Sequence, residues 1–411
     1  MKTEKQIMKI SSATLYIAFV GLISAGCQVF AQPAADPKPA ATKADETKTD
    51  EPKAADPKPA DPKPADPKAS AQTPAEKFQV SRERWNTIDK RLNEIASKYP
   101  TAPAEEREVL KAEYTKLVAD SQVVLPQLRK DAEAAFDAEP NKNNDVTLTL
   151  IGLVMYHVRN DEYDQALALG NKMIAAGCEE AVLYGITGVA AYRTDDYDTA
   201  EKYLAVAEKA KKLDEDGLKC LAQLPAQKEA WAKEKAIRDK EAKADDLPRV
   251  KIETNKGTLV IELFENEAPG AVGNFVSLVQ KKYYDGLTFH RVLPGFMAQG
   301  GDPSGNGSGG PGYQIYCECN KPEARMHFRG SLSMAHAGPD TGGSQFFLTF
   351  LPTTQLNKRH TVFGRVIEGF DVLAKIQRRD PQAPNPPLPD RIVKAEVVRK
   401  RDHEYKPDQV K

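Results

Sequence analysis

The chain has 411 residues, of which 28% are charged and 40% hydrophobic, and its formal net charge at pH 7 is −1. This length predicts two or three domains, because one hydrophobic core rarely organises so many residues. The balanced charge argues against a general nucleic-acid-binding protein, which would carry a basic excess or stripe, and it provides no long-range attraction to membranes or acidic substrates.

The first 31 residues have the pattern of an export signal. A basic stretch, MKTEKQIMK, precedes the apolar run ISSATLYIAFVGLISAG, and VFA ends in the small residue that signal peptidases prefer. We therefore predict cleavage after Ala31 and an extracytoplasmic location, periplasmic or secreted. A lipoprotein signal acylated at Cys27, which would attach the protein to a membrane, is the second interpretation; Ser24 disfavours it. An uncleaved anchor is the third, since the apolar run is borderline in length for spanning.

Residues 32–75 form a low-complexity segment rich in Pro, Ala, Lys and Asp, in which DPKPA occurs three times. Proline fixes φ and removes a backbone donor, and too few apolar residues are present to form a core. We predict a disordered, extended linker. At roughly 3.1 Å per residue its reach could exceed about 100 Å. It would serve as a stalk or as a plain tether.

Residues 76–246 are predicted to form an all-α domain. Apolar residues recur at helical spacing, glycines are few, and Ala, Glu, Lys and Leu dominate. Within this domain, RNDEYDQA at 159–166 and RTDDYDTA at 193–200 align with a constant offset of 34 residues. That offset is the period of tetratricopeptide repeats.

The region 145–212 therefore resembles two tetratricopeptide-like helix–turn–helix units. Small residues at Gly188, Ala200 and Ala207 fit the close approach of paired helices in such units. Because stacked units bury a shared apolar face, the helices before and after them would act as caps. The repeats either offer a concave surface to a protein partner or serve as a helical spacer. The charged segment 228–246 is predicted to be a solvated connecting helix.

Cysteine usage indicates neither a disulfide framework nor a metal site. Five cysteines are present, one of them, Cys27, within the signal. Cys317 and Cys319 are too close for an easy mutual bridge, and their sequence CEC lacks the second ligand pair of a zinc site. A disulfide between Cys178 and Cys220 is compatible with export and stays open. We expect no metal and no cofactor.

Residues 247–402 are predicted to form a second domain, followed by a tail at 403–411. Two alternating apolar runs flank TNKG, as in a β-hairpin, and GAVGNFVSLVQKKYYDG has the pattern of one amphipathic helix ended by Gly286. Short strand-like segments with glycine-rich turns follow, together with a second helix at GFDVLAKIQRR and a last strand at DRIVKAEVVRK. Many short strands with two helices favour a closed β-barrel capped at its ends.

Three sequence blocks in this second domain resemble the cyclophilins. FHRVLPGFMAQGGDPSGNGSGGPGY, GSLSMAHAGPDTGGSQFFLTF and LNKRHTVFGRV occur in the order and spacing of that family. The resemblance extends over about residues 248–401. It implies a peptidyl-prolyl cis-trans isomerase built on a closed eight-stranded barrel with two capping helices. It also implies proline-containing polypeptides as clients.

The resemblance further implies a set of site residues. It assigns the catalytic role to Arg291, the arginine of FHR, and it assigns to Gln299 of QGGD the holding of the substrate backbone and the positioning of that arginine. The remaining positions bind substrate; they are Phe296, Met297, Ala335, His336, Ala337, Phe347, Leu356 and His360. His336 stands where the family commonly has asparagine or arginine. Gln355 replaces a tryptophan found in many members, which implies weak binding of cyclosporin.

These residue types suit the rotation of a prolyl peptide bond, which makes and breaks no covalent bond. The peptide C–N bond resists rotation with a barrier of roughly 18–20 kcal/mol, so an isomerase needs only to bind the twisted state better than the planar ones. Twisting makes the amide nitrogen a better acceptor, and a guanidinium that stays protonated near neutral pH can donate to it. Without its neighbours, Arg291 would be interpreted as part of a surface salt bridge.

Two functions remain after this comparison of residues and motifs. The first is an exported prolyl isomerase that assists protein folding, with the helical repeats as an added docking surface for a partner. The second is a non-catalytic module that recognises proline-containing segments while the repeats scaffold an assembly. A nucleotide site is disfavoured, because the glycine-rich loop after Gln299 lacks the Lys-Ser/Thr ending and no helix pattern follows it.

Overall fold

A computed structural model of the protein describes residues 72–411. The predicted signal segment 1–31, with Cys27 and the cleavage position Ala31, lies outside the described residues, and so does nearly all of the predicted linker 32–75. Within the described range, a helical region precedes a domain that contains one eight-stranded sheet. None of the helices in this range is long and apolar enough to cross a membrane.

The prediction of an all-α region before the second domain is confirmed. The first helix begins with a capping box, in which Thr73 and Glu76 each accept the backbone N–H of the other. The helices of this region are α1 Pro74–Lys98, α2 Ala104–Ala138, α3 Asn144–Arg159, α4 Tyr163–Ala175, α5 Ala181–Arg193, α6 Tyr197–Lys209 and α7 Glu215–Ala244.

The two aligned sequence segments adopt the same local structure. Tyr163 and Tyr197, which lie 34 positions apart, are the first residues of α4 and α6, and each of these helices has 13 residues. Each tyrosine is buried and donates its hydroxyl to an aspartate two residues earlier, Asp161 or Asp195. The sequence similarity therefore reflects two turns with the same internal hydrogen bond.

Small residues lie where α5 and α6 pack together. A Cβ atom placed on Gly188 would come within 2.9 Å of Cγ of Leu204, which leaves no space for a larger side chain. Ala200 and Ala207 are completely buried. Close packing of these helices thus depends on small residues, as the sequence indicated.

The expectation of a solvated connector at 228–246 is wrong for one face of α7. Trp231 packs edge-on against Phe328 of the second domain, with ring centroids 5.1 Å apart. Glu234 and Glu241 are only 5% and 8% exposed, and both bind the guanidinium of Arg325. The last helix of the helical region is therefore part of an interface with the sheet domain.

The second domain is an antiparallel sheet in which neighbouring strands are often distant in sequence. Its hydrogen-bonded order is β3-β4-β6-β5-β7-β2-β1-β8. The strands are β1 Arg249–Thr254, β2 Gly257–Leu263, β3 Arg291–Leu293, β4 Met297–Gly300, β5 Ser331–Met334, β6 Phe346–Thr349, β7 Val362–Glu368 and β8 Ile392–Arg399.

The sheet is curled, and its two outermost strands come near each other without forming a ladder within residues 72–411. The segment before β3 meets the start of β8 instead. Gly286 donates its N–H to the carbonyl of Ile392 at 2.8 Å, and Phe289 donates to the carbonyl of Asp390 at 2.9 Å. The structure thus has the form of a curled half-barrel, and full closure stays a prediction.

Two helices accompany this sheet, α8 Pro269–Gln280 and α9 Phe370–Lys375. Phe275 of α8 packs against Phe346 and Phe363 of the strands, with centroid separations of 5.6 and 5.4 Å. The predicted extension of α8 to Gly286 is wrong. The helix ends at Gln280, because Lys282 adopts a left-handed backbone with φ of 57°.

The disulfide left open between Cys178 and Cys220 is not formed. Both residues are buried free thiols in the structure. Burial raises the pKa of Cys220 to about 12. A thiol with so high a pKa is almost entirely protonated at neutral pH and reacts slowly with oxidants.

Asp195 gives the stability of the protein a predictable dependence on pH. Burial raises its pKa to about 7 from the ordinary 3.8, although Arg238, Tyr197 and Arg329 favour the charged form. The folded state therefore retains a proton that the unfolded chain releases, and stability is lost as pH rises from about 4 through about 7. Asp195→Asn cannot ionise and so should not lose this stability. When the pH is raised from about 5 to about 8, its free energy of unfolding is expected to increase by on the order of 2 kcal/mol relative to that of the unmutated protein.

Chemical unfolding of the two proteins at both pH values tests this expectation. Asp198→Asn offers a control for the substitution itself, since it replaces an aspartate whose side chain is 90% exposed. Parallel profiles for the unmutated protein and Asp195→Asn would contradict the assignment of a raised pKa to Asp195.

Candidate active site

One row of side chains crosses four strands of the sheet. Arg291 of β3 lies opposite Gln299 of β4, Gln299 lies opposite Phe347 of β6, and Phe347 lies opposite Ser333 of β5. Residues directly opposite each other in antiparallel strands project from the same face. The pairing therefore places a guanidinium, an amide and a phenyl ring next to one another.

A tight turn at Pro294 and Gly295 joins β3 to β4. Gly295 has φ of 62°, a conformation that residues with a Cβ atom adopt only with strain. After this turn, Met297 pairs with Leu293, and Met297 projects from the same face as Gln299 because side chains alternate along a strand. The short hairpin thus carries both the cation and part of the apolar wall.

All ten site residues expected from the resemblance line one cavity of about 1220 Å³. Met297 and Phe347 are only 2% and 4% exposed, so their side chains form a preformed apolar surface. The whole set consists of Arg291, Phe296, Met297, Gln299, Ala335, His336, Ala337, Phe347, Leu356 and His360. A cavity that combines a buried apolar surface with convergent polar groups is a suitable ligand site.

The guanidinium of Arg291 forms no ion pair or hydrogen bond with any side chain in the described part of the chain. The amide of Gln299 donates from Nε2 to Oε1 of Gln345 at 3.0 Å, and not to or from Arg291. A surface salt bridge therefore does not account for Arg291. Its donors are available to a ligand, and the positioning of Arg291 by Gln299 stays a prediction.

Gln345 is a site residue that the sequence comparison missed. Its Nε2 donates to the carbonyls of Gly307 and Gly309, both at 2.9 Å, while its Oε1 accepts from Gln299. It thereby ties the glycine-rich loop to the cavity. The same loop is shaped by Asp302, whose carboxylate accepts several backbone N–H groups of the loop. The signal for Gln345 was its place between Ser344 and Phe346 in the SQFF motif.

Two stacked histidines form another side of the cavity. The rings of His336 and His360 lie 4.1 Å apart between centroids. His336 donates from Nε2 to the carbonyl of Arg359 at 2.7 Å, and His360 donates from Nδ1 to the carbonyl of Met334 at 3.0 Å. Burial lowers the pKa of His360, so its ring is neutral at physiological pH.

The segment expected to pair with the substrate backbone already uses two of its own N–H groups. Ala335 donates to the carbonyl of Gln345 and Ala337 donates to Oγ1 of Thr341, both at 3.0 Å. A client in an extended conformation would therefore meet the other backbone groups of the segment around His336.

His327 lies behind the floor of the cavity and was not predicted to belong to the site. Its ring is nearly parallel to that of Phe347, at an interplanar angle of 5° and a centroid distance of 5.9 Å. Nε2 contacts Oγ of Ser333 and Nδ1 contacts Oδ1 of Asn357, both at 3.0 Å. Burial lowers the pKa of His327 to about 4, so this ring is neutral at physiological pH.

Comparison with known sequences identifies the sheet domain. Residues 249–397 match the sequence model of a family described as cyclophilin type peptidyl-prolyl cis-trans isomerase/CLD. A peptidyl-prolyl cis-trans isomerase of Helicobacter pylori is 51% identical over 150 residues, which are 35% of this chain and 91% of the relative. The chain belongs to the cyclophilin-type peptidyl-prolyl cis-trans isomerases. Peptidyl-prolyl cis-trans isomerase B of Bacillus subtilis is similarly 53% identical over 119 residues, 29% of this chain and 82% of that protein.

This membership confirms the cyclophilin-like domain and the peptidyl-prolyl cis-trans isomerase activity that the sequence indicated. A solved cyclophilin-type isomerase of Cryptosporidium parvum, crystallised in the presence of the dipeptide Ala-Pro, is 38% identical, covers 36% of this chain and 98% of its own, and has a TM-score of 0.34. The helical region at 74–244 lies outside the residues that the cyclophilin family matches.

Gln355 predicts a weak response of this cyclophilin to cyclosporin. It is exposed in the 3-10 turn Thr354–Leu356, beside the cavity residue Leu356. Glutamine has neither the apolar area nor the rigid indole N–H of tryptophan. We expect Gln355→Trp to lower the inhibition constant for cyclosporin by about tenfold or more, which corresponds to a gain of about 1.4 kcal/mol in binding free energy. Cyclosporin titration of peptide isomerisation measures this, and nanomolar inhibition of the unmutated protein would contradict it.

Proposed function

We propose that this isomerase acts outside the cytoplasm and accelerates the folding of exported proteins. The export-type pattern of residues 1–31, with cleavage after Ala31 favoured over acylation at Cys27, supports this location. Prolyl bonds exchange in tens of seconds or more without a catalyst, which is slow enough to limit folding. The reaction consumes no ATP and so can run in an extracytoplasmic compartment.

The observation that carries the mechanism is the placement of Arg291. Its guanidinium has no protein partner within residues 72–411, and it lines the same cavity as the buried side chains Met297 and Phe347. We assign to Arg291 a donation to the prolyl nitrogen, which becomes a good acceptor only while the amide is twisted. Gln299 would hold the client backbone nearby.

The apolar wall performs the other half of the reaction. Phe296, Met297, Phe347 and Leu356 would hold the proline ring still while the acyl side of the bond rotates. The low polarity of this wall strengthens hydrogen bonds made beside it. Each ~1.4 kcal/mol of preferential binding to the twisted state increases the rate about tenfold.

Two finer features of the fold are part of the proposal. We propose that α3 to α6 are two tetratricopeptide-like units, supported by the offset of 34 residues between Tyr163 and Tyr197 and by the equal lengths of α4 and α6. We also propose that the sheet closes into a barrel, supported by the hydrogen bonds of Gly286 and Phe289 to the start of β8.

Refolding of an exported protein whose folding is limited by a prolyl bond tests the proposed role. The mature chain should increase the rate of the slow refolding phase at concentrations well below that of the client. Isomerisation of an Ala-Pro peptide by the same chain should be measured in parallel. Activity on the peptide without any effect on refolding would remove the folding role. Absence of both would favour the non-catalytic binding module. Mass spectrometry of the mature N-terminus decides between cleavage after Ala31 and acylation at Cys27.

A further inference from the structure

Two loops of the helical region contact the isomerase domain at equivalent positions of the repeat. Asp161 lies between α3 and α4, and Asp195 lies between α5 and α6, 34 positions later. Both have a left-handed backbone, with φ of 62° and 64°. Both residues are buried, at 3% and 9% exposure. The most similar part of the two repeats thus faces the cyclophilin domain and not solvent.

The carboxylate of Asp161 binds two separate parts of that domain. Its Oδ1 accepts the backbone N–H of Gly295 at 2.9 Å, and also the hydroxyl of Tyr163 at 2.5 Å. Its Oδ2 accepts from Arg378, at 2.7 Å from Nη2 and 3.0 Å from Nε. Arg378 in turn donates to the carbonyl of Asn160 at 2.9 Å. Charge-assisted hydrogen bonds of this kind are about twice as strong as neutral ones.

Gly295 is the middle of the turn that connects the strands of the catalytic hairpin. Phe296, the next residue, lines the cavity, and its carbonyl accepts the N–H of Phe350 at 3.0 Å. The guanidinium of Arg378 lies over the ring of Phe350, 4.2 Å from its centroid. Asp161 of the helical region therefore joins Arg378 and Phe350 of the isomerase domain around this turn.

The hairpin has few restraints of its own. β3 has three residues and β4 has four, and they share only three paired positions, from Arg291 with Gln299 to Leu293 with Met297. Outside the hairpin, β4 pairs with β6 at four positions, and Val292 exchanges two backbone hydrogen bonds of 2.7 Å with Arg379. The hydrogen bond from Gly295 to Asp161 therefore restrains chiefly the turn between the two strands. Misplacement of a reacting group by about 1 Å can cost on the order of a hundredfold in rate.

The second loop contacts the segment behind the floor of the cavity. The backbone N–H of Arg329 helps to stabilise the charged form of Asp195 in this loop. The guanidinium of Arg329 binds a residue outside the loop, Asp164 of α4, through both carboxylate oxygens at 2.8 and 2.6 Å. Arg329 follows closely after His327, the residue that stacks on Phe347. The two loops thus meet the isomerase domain beneath two different walls of one cavity.

We propose that the repeated turns of the helical region form an intramolecular clamp on the isomerase domain, and that Asp161 is a positioning residue for the catalytic hairpin. The inference deepens the proposed function, because it rests on the role assigned to Arg291. It also assigns the face that the two repeated turns share to an internal contact, so a client or partner would have to bind elsewhere on the helical region.

The test compares Asp161→Ala with Asp161→Asn in the full chain. Asp161→Ala removes the acceptor of the Gly295 N–H, and we expect about a tenfold loss of kcat/KM on an Ala-Pro peptide, mainly in kcat. Asp161→Asn retains an acceptor oxygen and should stay within about threefold of the unmutated protein. Hydrogen exchange followed by mass spectrometry should show faster exchange in peptides that span Gly295 in Asp161→Ala only.

Asp164→Ala is the matched control. It removes the ion pair with Arg329 at the same interface but makes no contact with the hairpin, and its kcat should not change. An equal loss in Asp164→Ala and Asp161→Ala would show general loosening of the interface and would overturn the positioning role. So would Asp161→Ala with unchanged kcat and unchanged exchange at Gly295.

Two further measurements keep the outcome clear. If Asp161→Ala does not fold, Asp161→Ser, whose oxygen is one bond shorter, replaces it with the same expectations. Arg291→Ala separates the clamp from the proposed function. If Arg291→Ala is inactive but Asp161→Ala is fully active, only the clamp hypothesis is rejected. If Arg291→Ala is fully active, the mechanism on which the clamp hypothesis depends is rejected as well.

Discussion

Replacing Arg291 by alanine is expected to reduce kcat/KM for an Ala-Pro peptide by about a hundredfold or more, equivalent to losing roughly 3 kcal/mol of transition-state binding. The loss should appear in kcat rather than in KM. The planar amide nitrogen of bound substrate is a poor acceptor, so the guanidinium contributes little to ground-state binding. NMR exchange spectroscopy on the peptide, which reports both binding and isomerisation, is the measurement.

Arg291→Lys is the informative control for this prediction. Lysine retains the charge but presents a compact ammonium instead of a planar fork of donors. We expect activity between those of the alanine variant and the unmutated protein. If Arg291→Ala keeps the full rate, or if its loss is entirely one of peptide affinity, stabilisation of the twisted amide by Arg291 is ruled out.

The candidate site residues could be chosen through the resemblance to the cyclophilins, because the matching motifs lie in a few contiguous blocks. Phe296, Met297 and Gln299 follow Arg291 within one stretch, and Phe347 lies in another, and all of them line one cavity. Their type, apolar groups around one unpaired cation, is what the chemistry requires. No knowledge of strand pairing was needed to choose them.

Their arrangement could not be predicted in the same way. Gly295 adopts a positive φ, and a turn of this kind resets which face of the next strand carries each side chain. The row from Arg291 through Gln299 to Phe347 also depends on pairing between β4 and β6, which are far apart in sequence. Gln345 lies within the SQFF motif, but the link that it makes between Gln299 and the glycine-rich loop becomes apparent only once that pairing is known.

The interface between the helical region and the isomerase domain could not be predicted from the sequence, for a different reason. Glu234 and Glu241 occur in a helix full of charged residues, a pattern that is typical of a solvated surface. Their common partner, Arg325, lies more than 80 positions away in the chain. Local periodicity carries no information about such a contact, so the helix was predicted to be a connector when it is an interface.

That buried contact leads to the second large expected effect, which is on stability. Arg325→Met should reduce the free energy of unfolding by about 3–5 kcal/mol, because it leaves two buried carboxylates without their main partner. The guanidinium is 2% exposed and lies 3.9 Å from the centroid of the Phe264 ring. It binds Glu234 through Nε and Nη2, at 2.9 and 2.7 Å, and Glu241 through Nη1 at 2.5 Å.

The pKa of Glu234 supports the direction of this effect. Burial raises this pKa, but the hydrogen bonds and charges of Arg325 and, to a smaller extent, Arg238 together more than offset that, and the pKa stays below its ordinary value. Without Arg325 the carboxylate would depend on Arg238, which binds it at 2.7 Å, and Glu241 on Arg365 at 3.7 Å. These remaining contacts favour the lower end of the expected range.

Denaturant unfolding of two further variants separates loss of the charge pair from simple loss of side-chain volume. Arg325→Met combined with Glu234→Gln and Glu241→Gln should recover part of the lost stability, since neutral amides are less costly to bury than unpaired carboxylates. Arg91→Met, which breaks exposed ion pairs with Glu113 and Glu94, should cost much less, because exposed ion pairs contribute little to stability. If Arg325→Met costs no more than Arg91→Met, the carboxylates of α7 reach solvent when the arginine is absent. The helical region and the isomerase domain would then be joined less rigidly than the buried contact indicates, and a clamp acting on the catalytic hairpin would lose its support.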